Sequence, residues 1–180
     1  MSKNKKGRKS KGQFKALKQT QSPTQPSSQA TVQPTQQSAS AGEVHWRSYG
    51  LDQIAQELVL DALAADKDCL NQSYKMRMAT AYGLERFWGE HLRLRNSKKD
   101  ADQAKSDYWK AAWDELVEVM SKAGVTIPNY AVSTGDPATI KKMSEALWQL
   151  DPDVQRVSLS VLNQLCDCIV WWTQRYKGVK

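Results

Sequence analysis

A change of composition near residue 43 limits what this chain can fold into. Before it, Phe14, Leu17 and Val32 are nearly the only large apolar side chains in a run of Lys, Gly, Gln, Ser, Thr and Pro. Such a segment cannot bury enough surface to offset the entropy of ordering it, so residues 1–42 are expected to be a disordered, basic tail. After the change, apolar residues recur every three or four positions, the spacing of one buried helix face. Residues 43–180 are expected to form an all-α domain, a compact bundle of about five helices.

The first helix starts near Leu51 and places Leu51, Ile54, Leu58, Ala62 and Leu63 on one face. A second is expected as one run from about Asn71 to Arg95, burying Tyr74, Met78, Ala81, Leu84, Phe87 or Trp88, His91 and Leu92. A third, from about Ala101 to Ala123, carries Tyr108, Trp109, Ala112, Trp113, Leu116, Val119 and Met120. Gly124 is its natural stop, because the position after a helix end favours a left-handed residue. Residues 124–135 read as a loop around Pro128 and Asn129. Asp136-Pro137 and Asp151-Pro152 then repeat one start signature, a capping acid before a proline at the first helical position. The fourth helix carries Ile140, Met143 and Leu147. The fifth carries Val154, Val157, Val161, Leu162, Leu165, Ile169 and Trp172.

The charge is as uneven as the hydropathy. The whole chain is +7, yet residues 1–18 hold eight basic side chains and no acid, and residues 19–42 hold no charge. The remaining 138 residues sum to −1. Within them, residues 75–99 stand at +5 and residues 166–180 at +2, against an acidic background. The tail is either a flexible arm for polyanions or a solubilising segment. The longest apolar run near the C-terminus, Cys168–Trp172, is far short of the roughly 20 residues a spanning helix needs. No apolar stretch follows the basic N-terminus, so no secretory signal is expected. Three cysteines, an odd number, suit a reducing, cytoplasmic setting.

Few residues carry reactive chemistry. Cys166 and Cys168 are two apart on a helix, point to different sides and have no second Cys/His pair, so they are read as small buried hydrophobes and no metal is expected. No glycine-rich phosphate loop or other cofactor motif is present. His45 and His91 are the only histidines, and neither builds a nucleophilic triad. Arg86 and His91 match the R-x4-H spacing of HEPN ribonucleases, although Phe87 stands where that family usually has a polar residue. There, the imidazole would move a proton at a ribose hydroxyl and the guanidinium would hold phosphate. The richest segment interleaves Lys75, Arg77, Arg86, Arg93, Arg95, Lys98 and Lys99 with Tyr82, Phe87 and Trp88. Cations with planar side chains between them suit contact with an RNA backbone, and a solvated helix face is the plain alternative. Trp109 and Trp113, at i and i+4, read as core. Trp171 and Trp172 are adjacent, so one of them is expected on a surface or interface.

The order of these features resembles the small all-helical subunit of type III-B (Cmr-type) CRISPR effector complexes, or of a neighbouring type III variant. Tyr74, then Tyr82-Gly83-Leu84 with Phe87, then Lys98-Lys99, occupy the places of that family's Tyr, Asn-Gly-Leu with aromatics, and lysine-containing break. Tyr108 through Leu116 match its next amphipathic helix, and Trp172-Thr173-Gln174-Arg175-Tyr176 its closing Trp-x-x-Arg-aromatic. Tyr82 replaces the Asn, the preceding Leu-Pro is missing and a 42-residue tail is one the family rarely needs. The resemblance covers about residues 51–177. It implies a non-catalytic subunit, several copies of which would stack along guide–target RNA in antiviral defence beside other subunits. The candidate RNA contacts, read from the basic segment and the basic C-terminus, are Lys75, Arg77, Arg86, Arg93, Arg95, Lys98, Lys99, Arg175 and Lys177, with Trp171 and Trp172 as candidate interface residues. The competing expectations are a HEPN-like ribonuclease built on Arg86 and His91, and a helical adaptor that binds a partner protein through Trp171 or Trp172.

Overall fold

The computed structural model describes residues 49–178, so the expected tail of residues 1–42 lies outside the described residues. Among the described residues the chain is all-helical, with no strand. Six α-helices follow in order: α1 (Leu51–Ala65), α2 (Gln72–Ala79), α3 (Leu84–Arg95), α4 (Asp100–Lys122), α5 (Pro137–Trp148) and α6 (Pro152–Tyr176). Short 3-10 turns, Lys67–Asn71 and Thr80–Tyr82, flank α2. The most extensive helix pairings are α3 with α4 and α1 with α6. None of these helices is long and apolar enough to cross a membrane.

The start and stop signals act as their chemistry requires. The Asp136 carboxylate accepts the Ala138 N–H at 3.0 Å, and that of Asp151 accepts the Asp153 N–H at 2.8 Å. At the end of α4, Gly124 takes φ 77°. Its N–H donates to the Ser121 carbonyl and the Val125 N–H to that of Met120, each at 2.9 Å, which closes the helix with both carbonyls satisfied. The loop that follows tucks Ile127 into the core.

The core is built on aromatic side chains. Trp88, Trp109 and Trp113 are fully enclosed, and Phe87 packs on Trp109 with ring centroids 5.0 Å apart. Every residue expected on the third helix's buried face is buried, from Tyr108 to Met120.

The second helix departs from expectation. The run from Asn71 to Arg95 is broken at Thr80–Gly83 into α2 and α3. Gly83 adopts φ 97° and ψ 172°, a conformation that side-chain-bearing residues avoid, and no helix continues through it. The two pieces therefore choose separate faces. Tyr74, Met78 and Ala81, expected inside, are exposed. The inner face of α2 consists of Gln72, Ser73 and Met76, with Thr80 buried at its end. Its polar members are satisfied from neighbouring helices. The Ser73 hydroxyl lies 2.6 Å from that of Thr173, the Thr80 hydroxyl donates to Asn163 at 2.5 Å, and the Trp109 indole N–H donates to the Gln72 carbonyl at 3.3 Å. These contacts run α2 antiparallel along α6. Val157 of α6, also expected inside, is exposed, because the buried face of that helix is set by Ser158, Leu162, Leu165, Cys166, Ile169 and Thr173.

Candidate nucleic-acid interface

The break at Gly83 decides where the basic segment points. It separates α3 from α2, and an open groove of about 260 Å³ forms at their junction. Lys75, Met78 and Ala79 come from α2, Tyr82 from the turn, and Arg86 and Glu90 from α3, with Trp109 at the floor. The Arg86 guanidinium lies over the Tyr82 ring, 5.7 Å from its centroid. A cation held on a ring face is a partly ordered, planar platform. Tyr82 and Met78 are 68% and 69% exposed, far more than their apolar bodies favour. Among the described residues, neither Lys75 nor Arg86 forms an ion pair, and both are exposed to solvent.

Other cations of the segment are engaged. Arg77 of α2 pairs with Asp167 of α6 at 2.5 Å. Arg93 holds Glu90 with two bonds, 2.8 and 2.6 Å long, and that hydrogen-bonded carboxylate pushes the arginine's already high pKa further up. Arg95 pairs with Asp107 of α4 at 2.6 Å. Glu90 belongs to the basic segment itself, whereas Asp107 and Asp167 come from outside it and lower its local excess from +5 to +3. These pairs are exposed, so they bind weakly enough to be exchanged for another anion. Lys98 and Lys99 occupy the short link between α3 and α4, both exposed.

The C-terminal end forms a second cluster. The Arg175 guanidinium lies 4.4 Å from the Trp171 ring centroid and 4.7 Å from that of Trp172. The two tryptophans separate as adjacency requires. Trp171 is 52% exposed, while Trp172 packs on the core and stacks with Tyr176 at 5.7 Å. Lys177 reaches Asn71, immediately before α2, at 3.5 Å. Lys177 and the groove thus flank one helix only about 12 Å long at 1.5 Å per residue.

Arg86 and His91 are not brought together. Arg86 lines the groove, whereas His91 lines a different cavity with Arg95 and Lys110. The His91 Nδ1–H donates to the Trp88 carbonyl in its own helix. Burial pushes the His91 pKa below 6.5, and the nearby Lys110 and Arg95 charges push the same way.

No group of His, Cys, Asp and Glu side chains capable of holding a metal occurs among the described residues. Cys166 is buried, with its thiol pushed up to about 12 by desolvation, and the half-buried Cys168 rises to about 11 for the same reason.

No protein-family model, curated protein or solved structure matches this chain.

Sequence reasoning overlooked two features here. Met78 belongs to the groove wall, but its helical spacing reads as core. Lys110 sits on an amphipathic helix among acidic neighbours, where nothing in the sequence separates it from a solvated lysine.

Proposed function

We propose that this bundle is a non-catalytic, RNA-binding structural subunit of a multi-subunit ribonucleoprotein. The observation that carries the reading is the groove between α2 and α3, where unpaired Lys75 and Arg86 stand beside exposed Tyr82. Cations supply phosphate affinity and a ring face accepts an unstacked base of any sequence. The order of Tyr74, Tyr82-Gly83-Leu84, Lys98-Lys99 and Trp172 through Tyr176 supports a narrower form, a small subunit of a type III CRISPR effector that contacts the guide–target backbone and neighbouring subunits. The ribonuclease reading draws no support from the geometry, since Arg86 and His91 line different cavities.

A second reading, a protein–protein adaptor, is favoured by Trp148 and Trp171, which are 64% and 52% exposed. One experiment separates the two. The full chain and its Lys75→Glu/Arg86→Glu variant are titrated with single-stranded 5′-hydroxyl RNA across a salt series. On the RNA reading the variant loses affinity and its salt slope falls by about 0.7 for each phosphate contact removed. Equal affinities and slopes would leave the adaptor reading.

A further inference from the structure

A second cavity, of about 320 Å³, lies on the other side of α3 and takes no part in the groove. Its walls come from the end of α3, the middle of α4 and the loop before α5. The cations are Arg95 and Lys110, and no carboxylate lines the cavity. Carboxylates outside it pair with both cations. Asp107 pairs with Arg95 at 2.6 Å, and Asp114 with Lys110 at 2.5 Å. Asp114 also accepts from the Asn129 side chain at 2.8 Å, which ties the loop to the same anchor. The loop contributes two hydroxyls, Ser133 and Thr134. Ser133 Oγ accepts the Gly135 N–H at 3.4 Å, which leaves its own proton to donate, and the Thr134 hydroxyl has no partner among the described residues. Leu92 and Val132 add an apolar wall, and His91 closes the inner end.

The geometry points to this cavity as a binding pocket for a phosphate monoester of mononucleotide size. Two cations and two hydroxyl donors on one cavity match the acceptor count of a terminal phosphate, which would share Arg95 and Lys110 with Asp107 and Asp114. The volume is at the low end of ligand pockets, which suits one nucleotide and excludes a longer segment. The apolar wall of Leu92 and Val132 gives the sugar or base a surface to cover. The ligand is either a free nucleoside monophosphate or the 5′-phosphate end of an RNA. The inference goes beyond the groove reading and does not depend on it, because groove and pocket lie on different residues.

The test uses the full chain labelled at histidine, with its two histidine ring signals assigned through a His45→Gln variant. Adenosine 5′-monophosphate is titrated beside adenosine, and a 5′-phosphorylated short RNA beside its 5′-hydroxyl form. The expected result is a saturable movement of the His91 ring signals with the monophosphate and none with adenosine. Lys110→Gln should weaken the monophosphate about tenfold or more, the loss for a hydrogen bond to a charged group. Thr134→Ala should weaken it about fivefold with little effect on folding, since that hydroxyl makes no hydrogen bond among the described residues. Both variants are checked by thermal melting. A gain for 5′-phosphorylated RNA assigns the pocket to an RNA end, and a response to the free nucleotide alone assigns it to a metabolite. Silence of the His91 signals to both phosphorylated ligands, an equal response to adenosine, or unchanged affinity in both variants would overturn the proposal. The groove stands or falls separately, on 5′-hydroxyl RNA and the Lys75→Glu/Arg86→Glu variant.

Discussion

The Ser73 and Thr173 hydroxyls lie 2.6 Å apart, both fully buried, at the contact between α2 and α6. The Tyr108 hydroxyl joins them from α4, 3.2 Å from Ser73, so one small polar knot ties three helices. Burial of this knot pushes the Tyr108 pKa up to about 12, and the bonds from Ser73 and Thr173 offset part of that rise. Ser73 is the shared member. Ser73→Ala removes one partner from each of two buried hydroxyls, Thr173 and Tyr108, and is expected to cost about 1–3 kcal/mol. Thr173→Val leaves the Ser73–Tyr108 bond intact and is expected to cost about 1 kcal/mol. Urea unfolding of each variant and of the double mutant measures both costs and their coupling.

Gly83→Ala isolates the backbone cost of the α2–α3 turn. A Cβ there meets nothing within 4 Å, so no clash contributes. The φ of 97° alone opposes the change, and a loss of about 1–3 kcal/mol is expected. A loss near zero would mean the turn relaxes, and the groove formed by Lys75, Tyr82 and Arg86 would then lose its shape at unchanged stability.

His91 makes stability depend on pH. Its folded pKa lies below 6.5, chiefly because it is buried. The unfolded chain therefore binds the proton more readily than the folded one. The stabilisation from keeping the ring neutral is complete above about pH 6.5, is lost as pH falls toward the folded pKa, and does not decline further below it. Urea midpoints between about pH 5.5 and 7.5 should fall with acidification in the wild type. The same series on His91→Gln should be flatter.

Cysteine labelling reports the packing of α6. Cys166 and Cys69 are buried, and all three thiols are raised, to about 12 for Cys166 and about 11 for Cys69 and Cys168. Thiolate is scarce at neutral pH in each case. A thiol-reactive dye at pH 7.5 should label the native chain slowly, Cys168 first, and all three cysteines at once in denaturant. Rapid labelling of Cys166 in the native chain would contradict the packing described.

Much of the fold was legible because local chemistry wrote it. Asp136-Pro137, Asp151-Pro152 and Gly124 mark helix ends through their own side chains and dihedrals, without reference to any distant residue. The α4 stripe from Tyr108 to Met120 was legible because all of its buried members are apolar or aromatic. Its neighbour α2 was misread because its inner face includes Gln72 and Ser73, followed by Thr80, polar residues that are inside only because α4 and α6 answer their hydrogen bonds. The candidate cations were legible as a group, but their states were not. Arg77, Arg93 and Arg95 hold carboxylates, and two of those carboxylates, Asp167 and Asp107, come from other helices.

By itself the sequence determined the all-helical class, the end of α4, the starts of α5 and α6, the aromatic core of α4 and the separation of a basic N-terminal segment from a nearly neutral remainder. These follow from period, capping and composition, which act within a few residues. Only the tertiary structure decided that the basic segment bends at Gly83, that Lys75 and Arg86 share a groove while Arg95 joins Lys110 and His91 in another cavity, and that Trp171 is the exposed member of its pair. Those outcomes depend on which helix packs against which. That choice is made by summed burial and hydrogen-bond satisfaction across residues as much as a hundred positions apart, of which Ser73 and Thr173 are the clearest pair.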